Sequence, residues 1–219
     1  MITFGLGNIL RKNIVKLEDI DYTFTAKLIP HVMNALYNKE AFESTNLEEI
    51  RDAFRVKQLQ GKSYLLDQIS KHVDKKSKIL VIGSWFGFTS YCLYNMGYTS
   101  ITEVDPDTRL EPFTLHLNRF NKSFKHITAD INNIDTSTYD VVINTSCEHI
   151  LDNKWFENIS SSALVFLQST DYPNWDHINV STNIPEMESK YPMDLLESCV
   201  LDFTGYKRFT IIGRKGNKK

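Results

Sequence analysis

The chain has 219 residues, and its 25 Lys plus Arg against 27 Asp plus Glu leave a net charge of −2. Since domains commonly contain about 150 residues, the length predicts one domain with additions rather than two independent ones. A hydrophobic fraction of 42% excludes a disordered chain, and the near-neutral charge argues against long nucleic acid as a partner.

The first third of the chain has the apolar spacing of amphipathic helices. From residue 17 to residue 72, apolar side chains recur three and four positions apart. Pro30 is expected to begin or kink a helix, because it lacks the N–H donor that the preceding turn requires. Asn46 followed by Glu49 is typical of a helix start with reciprocal capping, and Gly61 is expected to end that helix.

From residue 78 onward, short apolar runs alternate with helical stretches. Runs such as LVIG and VVIN are apolar at successive positions, as in parallel strands that are covered on both faces. The predicted strands are 78–83, 100–105, 124–128, 139–144, 163–168, 198–203 and 207–213. The predicted helices between them lie near 87–96, 106–119, 153–160 and 186–191.

This alternation predicts an α/β fold with a doubly wound, mostly parallel, seven-stranded sheet. Only residues 204–206 separate the last two strands, which is too short for a crossover, so that pair is predicted to be an antiparallel hairpin. We interpret residues 1–77 as a helical extension that covers the sheet, and residues 78–219 as the sheet unit of the same domain.

Ligands of such sheets bind at the carboxyl ends of the strands. The first strand runs into Gly83-Ser84-Trp85-Phe86-Gly87, where Gly83 allows a sharp turn and Gly87 lets the next helix begin close to a ligand. The second strand ends at Asp105, 18 residues after Gly87, where a carboxylate can accept hydrogen bonds from both hydroxyls of a ribose. The alternative is that Asp105-Pro106-Asp107 only caps the following helix.

The third and fourth predicted strands also end in polar residues. Asp130 follows the third strand, where its carboxylate can accept a hydrogen bond from an exocyclic amine and Ile131 can pack on a purine face. Asn144 ends the fourth strand. Suitable polar groups at four successive strand ends indicate a ligand-binding site more specifically than a group at any one strand end does.

Together these strand ends resemble those of class I S-adenosylmethionine-dependent methyltransferases, whose Rossmann-like, seven-stranded sheet ends in an antiparallel hairpin. The resemblance covers residues 78–213 and implies S-adenosylmethionine as the cofactor. By position, it implies a role for Asp105 at the ribose and for Asp130 and Ile131 at the adenine. The implied cofactor-binding residues are Gly83, Ser84, Trp85, Gly87, Asp105, Pro106, Asp130, Ile131 and Asn144.

The chain departs from the family pattern in the glycine loop. Val81 stands where the family usually has an acidic residue, and Trp85 stands where it usually has a glycine. Backbone carbonyls or Glu103 are the candidates to replace the missing acid. Upstream, Gln60 and Lys62 are candidates for the carboxylate of the cofactor, although a solvated helix end is the interpretation that the sequence favours.

The segment after the fourth strand, Asn144-Thr145-Ser146-Cys147-Glu148-His149, is predicted to face the sulfonium and the acceptor. Glu148 or His149 is expected to take a proton from the acceptor. The alternative is that Ser146 and Glu148 cap the following turn and His149 fills a side pocket. The predicted substrate contacts are Cys147, Asp171 and Tyr172, with Trp175 a further candidate for stacking. Cys147 and His149 without a second cluster do not indicate a metal, and no metal is expected.

The predicted function is methyl transfer to a small molecule or an exposed side chain. Trp85 motivates one alternative, transfer of the aminocarboxypropyl group of the same cofactor, and Val81 with Trp85 motivates another, a binding protein without turnover. NAD is disfavoured because the glycine spacing is G-x-x-x-G. The chain also lacks the Asp/Asn-Pro-Pro-aromatic motif of enzymes that methylate base amines.

A cytoplasmic location without membrane contact is expected. No apolar stretch approaches the roughly 20 residues of a membrane span, and residues 1–10 lack the pattern of a signal peptide. Three widely spaced cysteines argue against a disulfide framework. The sequence leaves the oligomeric state open, as it does the choice between a lid and a dimer surface for the N-terminal helices.

Overall fold

A computed structural model describes residues 12–216, except for the side chains of residues 12 and 13. Its strands are β1 Lys12–Val15, β2 Ile79–Ile82, β3 Ile101–Asp105, β4 Lys125–Thr128, β5 Val141–Asn144, β6 Leu164–Thr170, β7 Asp194–Phe203 and β8 Tyr206–Arg214. Its helices are α1 Thr23–Lys27, α2 Ile29–Ala35, α3 Lys39–Glu43, α4 Leu47–Ala53, α5 Val56–His72, α6 Phe88–Asn95, α7 Glu111–Leu117, α8 Lys154–Glu157 and α9 Ile184–Lys190.

The strands form one sheet in the order β1-β7-β8-β6-β5-β2-β3-β4. All neighbouring strands are parallel except β8, which runs antiparallel to both β6 and β7. The predicted fold class is confirmed, since each of the seven predicted strands is present and the last two form the antiparallel hairpin. An eighth strand, β1, adds to the edge beside β7, and its sequence, KNIV, contains only two apolar residues.

Strand order reverses between β2 and β5, which places the topological switch point at their carboxyl ends. The side chains of β2 alternate between two apolar clusters, one on each face of the sheet. Ile79 and Val81 belong to the cluster that also contains residues of α5, α6 and α7, whereas Leu80 and Ile82 belong to the cluster with α8 and α9. Helices therefore cover both faces, as the continuous apolar runs predict.

The N-terminal helices follow most of the expected start signals. Pro30 lies in the first turn of α2, where a backbone N–H has no acceptor within the helix, so proline costs no hydrogen bond. Asn46 caps α4 by accepting a hydrogen bond from the backbone N–H of Glu48. The Glu49 carboxylate lies 3.5 Å from Arg109 Nη1, so it connects α4 to the turn that follows β3.

Gly61 does not end a helix, and that prediction is wrong. It lies inside α5, which continues to His72. A Cβ atom at this position would lie 2.9 Å from Nη1 of Arg208, a residue of β8 whose guanidinium donates to Gln58 Oε1 at 3.0 Å. Glycine at this position leaves room for the close approach of an arginine side chain from the sheet, which a sequence pattern does not reveal.

Within residues 12–216, no helix is both long and apolar enough to cross a membrane.

Candidate functional site at the strand ends

The loop after β2 turns on two glycines with left-handed backbone conformations. Gly83 has φ +59°, and a Cβ atom there would lie 2.9 Å from Cβ of Ser146, which follows β5. The Ser146 hydroxyl donates to the Gly83 carbonyl at 3.0 Å. Gly87 has φ +67° and precedes α6, where an added Cβ would lie 2.9 Å from Thr114 Cγ2 of α7. Gly83 thus permits contact between two strand ends, and Gly87 permits close packing of two helices.

Trp85 is the one non-glycine residue with positive φ among those described, at φ +56°. This conformation costs a non-glycine residue about 1–2 kcal/mol. The indole packs beside Phe86, with ring centroids 5.3 Å apart, and against the apolar cluster that the N-terminal helices share. Its backbone N–H donates to Asp105 Oδ2 at 3.1 Å. The strained loop is therefore held by the indole on one side and by Asp105 on the other.

Asp105 connects the ends of β2 and β3. Its side chain is buried, Oδ2 accepts the Trp85 N–H, and Oδ1 accepts the N–H of Asp107 at 3.0 Å. Burial raises the pKa of the Asp105 carboxyl, and the two backbone hydrogen bonds partly oppose that rise. The predicted capping function lies with Asp107, which accepts from the N–H of Arg109 at 3.0 Å, and Pro106 is exposed between them.

Glu103 is not available to replace the missing acid of the loop. Its side chain is fully buried, and its oxygens contact Ser90 and His126. The Ser90 hydroxyl donates to it at 2.6 Å, and His126 Nδ1 lies at 3.1 Å. The expectation that Glu103 holds the cofactor is therefore not supported, because both oxygens already have partners.

The ends of β4 and β5 differ in exposure. Asp130 is exposed, and its Oδ1 accepts from the N–H of Asn132 at 2.8 Å, while the neighbouring Ile131 is buried. Asn144 is buried, and its Oδ1 accepts from the N–H of Ser146 at 2.9 Å. The Nδ2 of Asn144 and the Oγ of Ser84 have no hydrogen-bond partner among residues 12–216. Because buried polar atoms are rarely left unpaired, these two mark a place that suits a polar ligand.

Lys62 is not the solvated helix end that the sequence favours. It lies inside α5 and is buried, next to the glycine that Arg208 crosses. Burial, together with the charge of Arg208, lowers the pKa of Lys62 to about 8. Within the described part of the chain it forms no ion pair with a carboxylate. A buried ammonium group without an anionic partner suits an anionic ligand.

The turn after β5, Cys147–His149, presents its three side chains differently. Cys147 is fully buried in the core, with Sγ 3.8 Å from the Asn144 carbonyl, and burial raises the pKa of its thiol well above the ordinary value. This placement does not support the predicted substrate contact of Cys147. Glu148 is also buried, but its Oε2 has no hydrogen-bond partner among the described residues. Burial raises the pKa of the Glu148 carboxyl, and the charge of Arg208 opposes that rise.

His177 lies beside Glu148 and His149, although it is not among the predicted site residues. The two imidazole rings meet edge to face with centroids 4.7 Å apart. One ligand atom from each of Glu148, His149 and His177 lies within 4.8 Å of the other two. A signal was present: the loops after the adjacent parallel strands β5 and β6 each carry a carboxylate-histidine dipeptide, Glu148-His149 and Asp176-His177.

The other residues of the loop after β6 divide between structure and surface. Asp171 Oδ1 accepts from the N–H of Lys207 at 2.6 Å, which extends the pairing of β6 with β8. Tyr172 is 47% exposed, and its ring lies 6.0 Å from that of His177. Trp175 is 90% exposed. Tyr172 is therefore the member of this loop that borders the histidine pair and is open to solvent.

Several solved methyltransferase structures are similar to this chain. The N-methyltransferase NodS from Bradyrhizobium japonicum WM9 matches with a TM-score of 0.61 and 12% identity, over 75% of this chain and 99% of NodS. Coclaurine N-methyltransferase bound to N-methylheliamine and S-adenosylhomocysteine has a TM-score of 0.54 and 15% identity, over 66% of this chain and 50% of that enzyme.

A third similar structure is the Pyrococcus abyssi tRNA (uracil-54, C5)-methyltransferase in complex with S-adenosylhomocysteine. Its TM-score is 0.54 at 15% identity, over 70% of this chain and 38% of that protein, so this chain spans well under half of its length. No protein-family model and no curated protein sequence matches the chain. Identities this low establish the fold alone: the chain has the Rossmann-like fold of class I S-adenosylmethionine-dependent methyltransferases.

Proposed function

We propose that this protein is an S-adenosylmethionine-dependent methyltransferase that acts on a small molecule or an exposed side chain. The observation that carries the proposal is the set of polar groups at the ends of β2, β3, β4 and β5. Two of them, Ser84 Oγ and Asn144 Nδ2, are buried with no hydrogen-bond partner among residues 12–216. When bound, this cofactor supplies a methyl group on a sulfonium.

Each residue is assigned to a part of the cofactor according to the strand that it follows in the sheet. Asp105 is assigned to the ribose hydroxyls, because each of its oxygens accepts only one backbone N–H and retains a free lone pair. Asp130 and Ile131 are assigned to the adenine. Ser84, within the glycine loop, and Asn144 are assigned to the methionine part. Lys62 is assigned to the carboxylate of the cofactor, because its buried ammonium has no anionic partner in the described part of the chain.

The remaining residues of the loop and of the acceptor side take the following places. Gly83, Trp85, Gly87 and Pro106 shape the cofactor side through the backbone. Glu148 and His149 are placed on the acceptor side, where the raised pKa of the buried Glu148 carboxyl favours proton uptake. Tyr172 borders the acceptor, with Asp171 fixing the start of its loop. The near-neutral chain supports a small acceptor. Within residues 1–77, helices α1 to α5 are proposed to cover the sheet of the same domain, whereas β1 joins the edge of that sheet.

Calorimetric titration with S-adenosylhomocysteine tests the cofactor site. Asp130→Ala is expected to lower the affinity about tenfold, since a hydrogen bond to a ligand contributes about 1.5 kcal/mol. Asp135→Ala is the matched control: Asp135 is also exposed and caps the next short turn through the N–H of Ser137 at 2.9 Å, but it does not stand at a strand end. Equal affinity of both variants, or no binding by the wild type, contradicts the proposal.

Product analysis separates methyl transfer from the alternatives. A gain of one methyl group on an acceptor supports the proposal. Release of methylthioadenosine would instead indicate aminocarboxypropyl transfer, for which the strained backbone of Trp85 is the motivating observation. Binding of the cofactor without turnover, across a panel of small hydroxyl and amine acceptors, would indicate a binding protein.

A further inference from the structure

Glu148, His149 and His177 bring three potential metal-ligating groups together outside the cofactor side of the site. One oxygen of Glu148 and one nitrogen from each imidazole lie within 4.8 Å of one another. The donors of a bound Zn²⁺ lie about 3.4 Å apart, given bonds of about 2.0–2.2 Å to nitrogen and oxygen. His149 has a side chain that is 39% exposed, so rotation of its ring can close this difference without disturbing the core.

The hydrogen bonds around the two imidazoles use the Nδ1 atom of each ring. His177 Nδ1 lies 2.6 Å from the Tyr172 carbonyl, and His149 Nδ1 lies 3.2 Å from the Asp176 carbonyl. A carbonyl oxygen can only accept, so each Nδ1 carries the hydrogen, and in the neutral imidazole each Nε2 keeps its lone pair for a ligand. His177 Nε2 lies 3.9 Å from Asp176 Oδ1, which is beyond hydrogen-bond distance. Asp176 Oδ2 also lies 3.4 Å from His149 Nδ1. Metal-binding histidines commonly have such carbonyl and carboxylate partners on their second nitrogen.

Glu148 supplies the independent observation that points to a ligand. The residue is 5% exposed, and its Oε2 is buried with no hydrogen-bond partner among residues 12–216. A buried carboxylate oxygen is rarely left unpaired, because its desolvation is costly. The edge-to-face contact of the imidazoles explains the position of the rings but leaves this oxygen without a partner.

We infer that Glu148, His149 and His177 form a binding site for a divalent first-row transition-metal ion such as Zn²⁺ or Mn²⁺. Two imidazoles and one carboxylate suit such ions better than Mg²⁺ or Ca²⁺, which prefer oxygen ligands. Three protein ligands leave a coordination position open, as in catalytic zinc sites. In this arrangement the ion would lower the pKa of an acceptor hydroxyl, and Glu148 and His149 would act as its ligands instead of taking the proton themselves; this role rests on the proposed function.

The test is binding of Co²⁺ to the full chain without cofactor, followed by visible absorption and competition with Zn²⁺. We expect one Co²⁺ per chain, bands typical of nitrogen and oxygen ligands, and displacement by Zn²⁺. His177→Ala and Glu148→Gln should each lower the Co²⁺ affinity at least about tenfold. His72→Ala is the matched control, because His72 lies 3.9 Å from the Glu197 carboxylate but has no second histidine in such a cluster among the described residues.

Absence of saturable Co²⁺ binding, or equal affinity of His177→Ala and the wild type, overturns the inference. His177 lies in a loop, so its replacement keeps the test valid if Glu148→Gln fails to fold. S-adenosylhomocysteine binding, measured without metal, reports separately on the proposed function. Co²⁺ binding without cofactor binding would support the metal site and contradict methyl transfer, and the reverse would overturn the metal site alone.

Discussion

Lys62 is a buried ammonium whose replacement is predicted to stabilise the protein in the absence of ligand. Its pKa of about 8 lies below the ordinary value of 10.5 because of burial and the charge of Arg208. A difference of this size corresponds to about 3 kcal/mol of unfavourable free energy for the charged form in the folded state. Lys62→Met removes the charge and keeps an unbranched stem, so the free energy of unfolding at neutral pH should rise by up to about 3 kcal/mol.

The predicted difference depends on pH in a definite direction. The folded-state pKa of Lys62 lies below the unfolded-state value, so the unfolded chain binds more protons between pH 8 and pH 10.5. Wild-type stability therefore rises with pH across that window, and the advantage of Lys62→Met shrinks there. Below pH 8 the advantage is constant. The charged or titratable groups that act on Lys62 are Arg208, Asp52 and Cys92.

Urea unfolding near neutral pH and near the upper end of that window measures both effects. Lys71→Met is the control: Lys71 lies on the same helix, its side chain is 53% exposed, and its ammonium lies 2.6 Å from Asp67 Oδ2. The control should change the free energy of unfolding by less than about 1 kcal/mol. The reasoning is refuted if Lys62→Met is less stable than the wild type at neutral pH, or if its advantage does not shrink as the pH rises.

Two further predictions concern the loop and the thiols. Gly83→Ala should lower the free energy of unfolding by about 1 kcal/mol more than Gly205→Ala, because both positions have positive φ but only at Gly83 does the new Cβ meet a neighbour, Ser146; equal losses in urea unfolding would show that this contact relaxes freely. Cys92, Cys147 and Cys199 are all buried with raised pKa values, so an aromatic disulfide reagent should label none of them before the protein unfolds. Rapid labelling of one thiol in the native protein would contradict the described burial.

The strands were predictable because their residues are apolar at successive positions, as in parallel strands that are covered on both faces. LVIG overlaps β2 and VVIN coincides with β5, and the short predicted separation of the last two strands predicts the antiparallel hairpin. β1 escapes prediction because it is a four-residue edge strand in which Ile14 is 73% exposed. The pairing of β1 depends on the position of β7, and the sequence around β1 does not reveal that position.

In the candidate site, the sequence predicts only those contacts that follow from the neighbouring ends of parallel strands. Contacts such as Trp85 with Asp105 follow from adjacent strands, and so does the approach of the two loops that carry His149 and His177. The direction in which a side chain points within a short turn does not follow from the adjacency of the strands. Cys147 and Glu148 are neighbours in sequence, yet the Cys147 thiol lies in the core, whereas Glu148 Oε2 has no hydrogen-bond partner among the residues that the structure describes.

The contact of Arg208 with Gly61 joins two parts of the chain that are synthesised at different times. β8 lies between β6 and β7, and from there Arg208 bonds Gln58 while Gln168 of β6 donates to the Gly61 carbonyl at 3.3 Å. During synthesis α5 is made long before β8. During synthesis, the hydrogen bond from Arg208 to α5 can therefore form only after nearly the whole chain has been made.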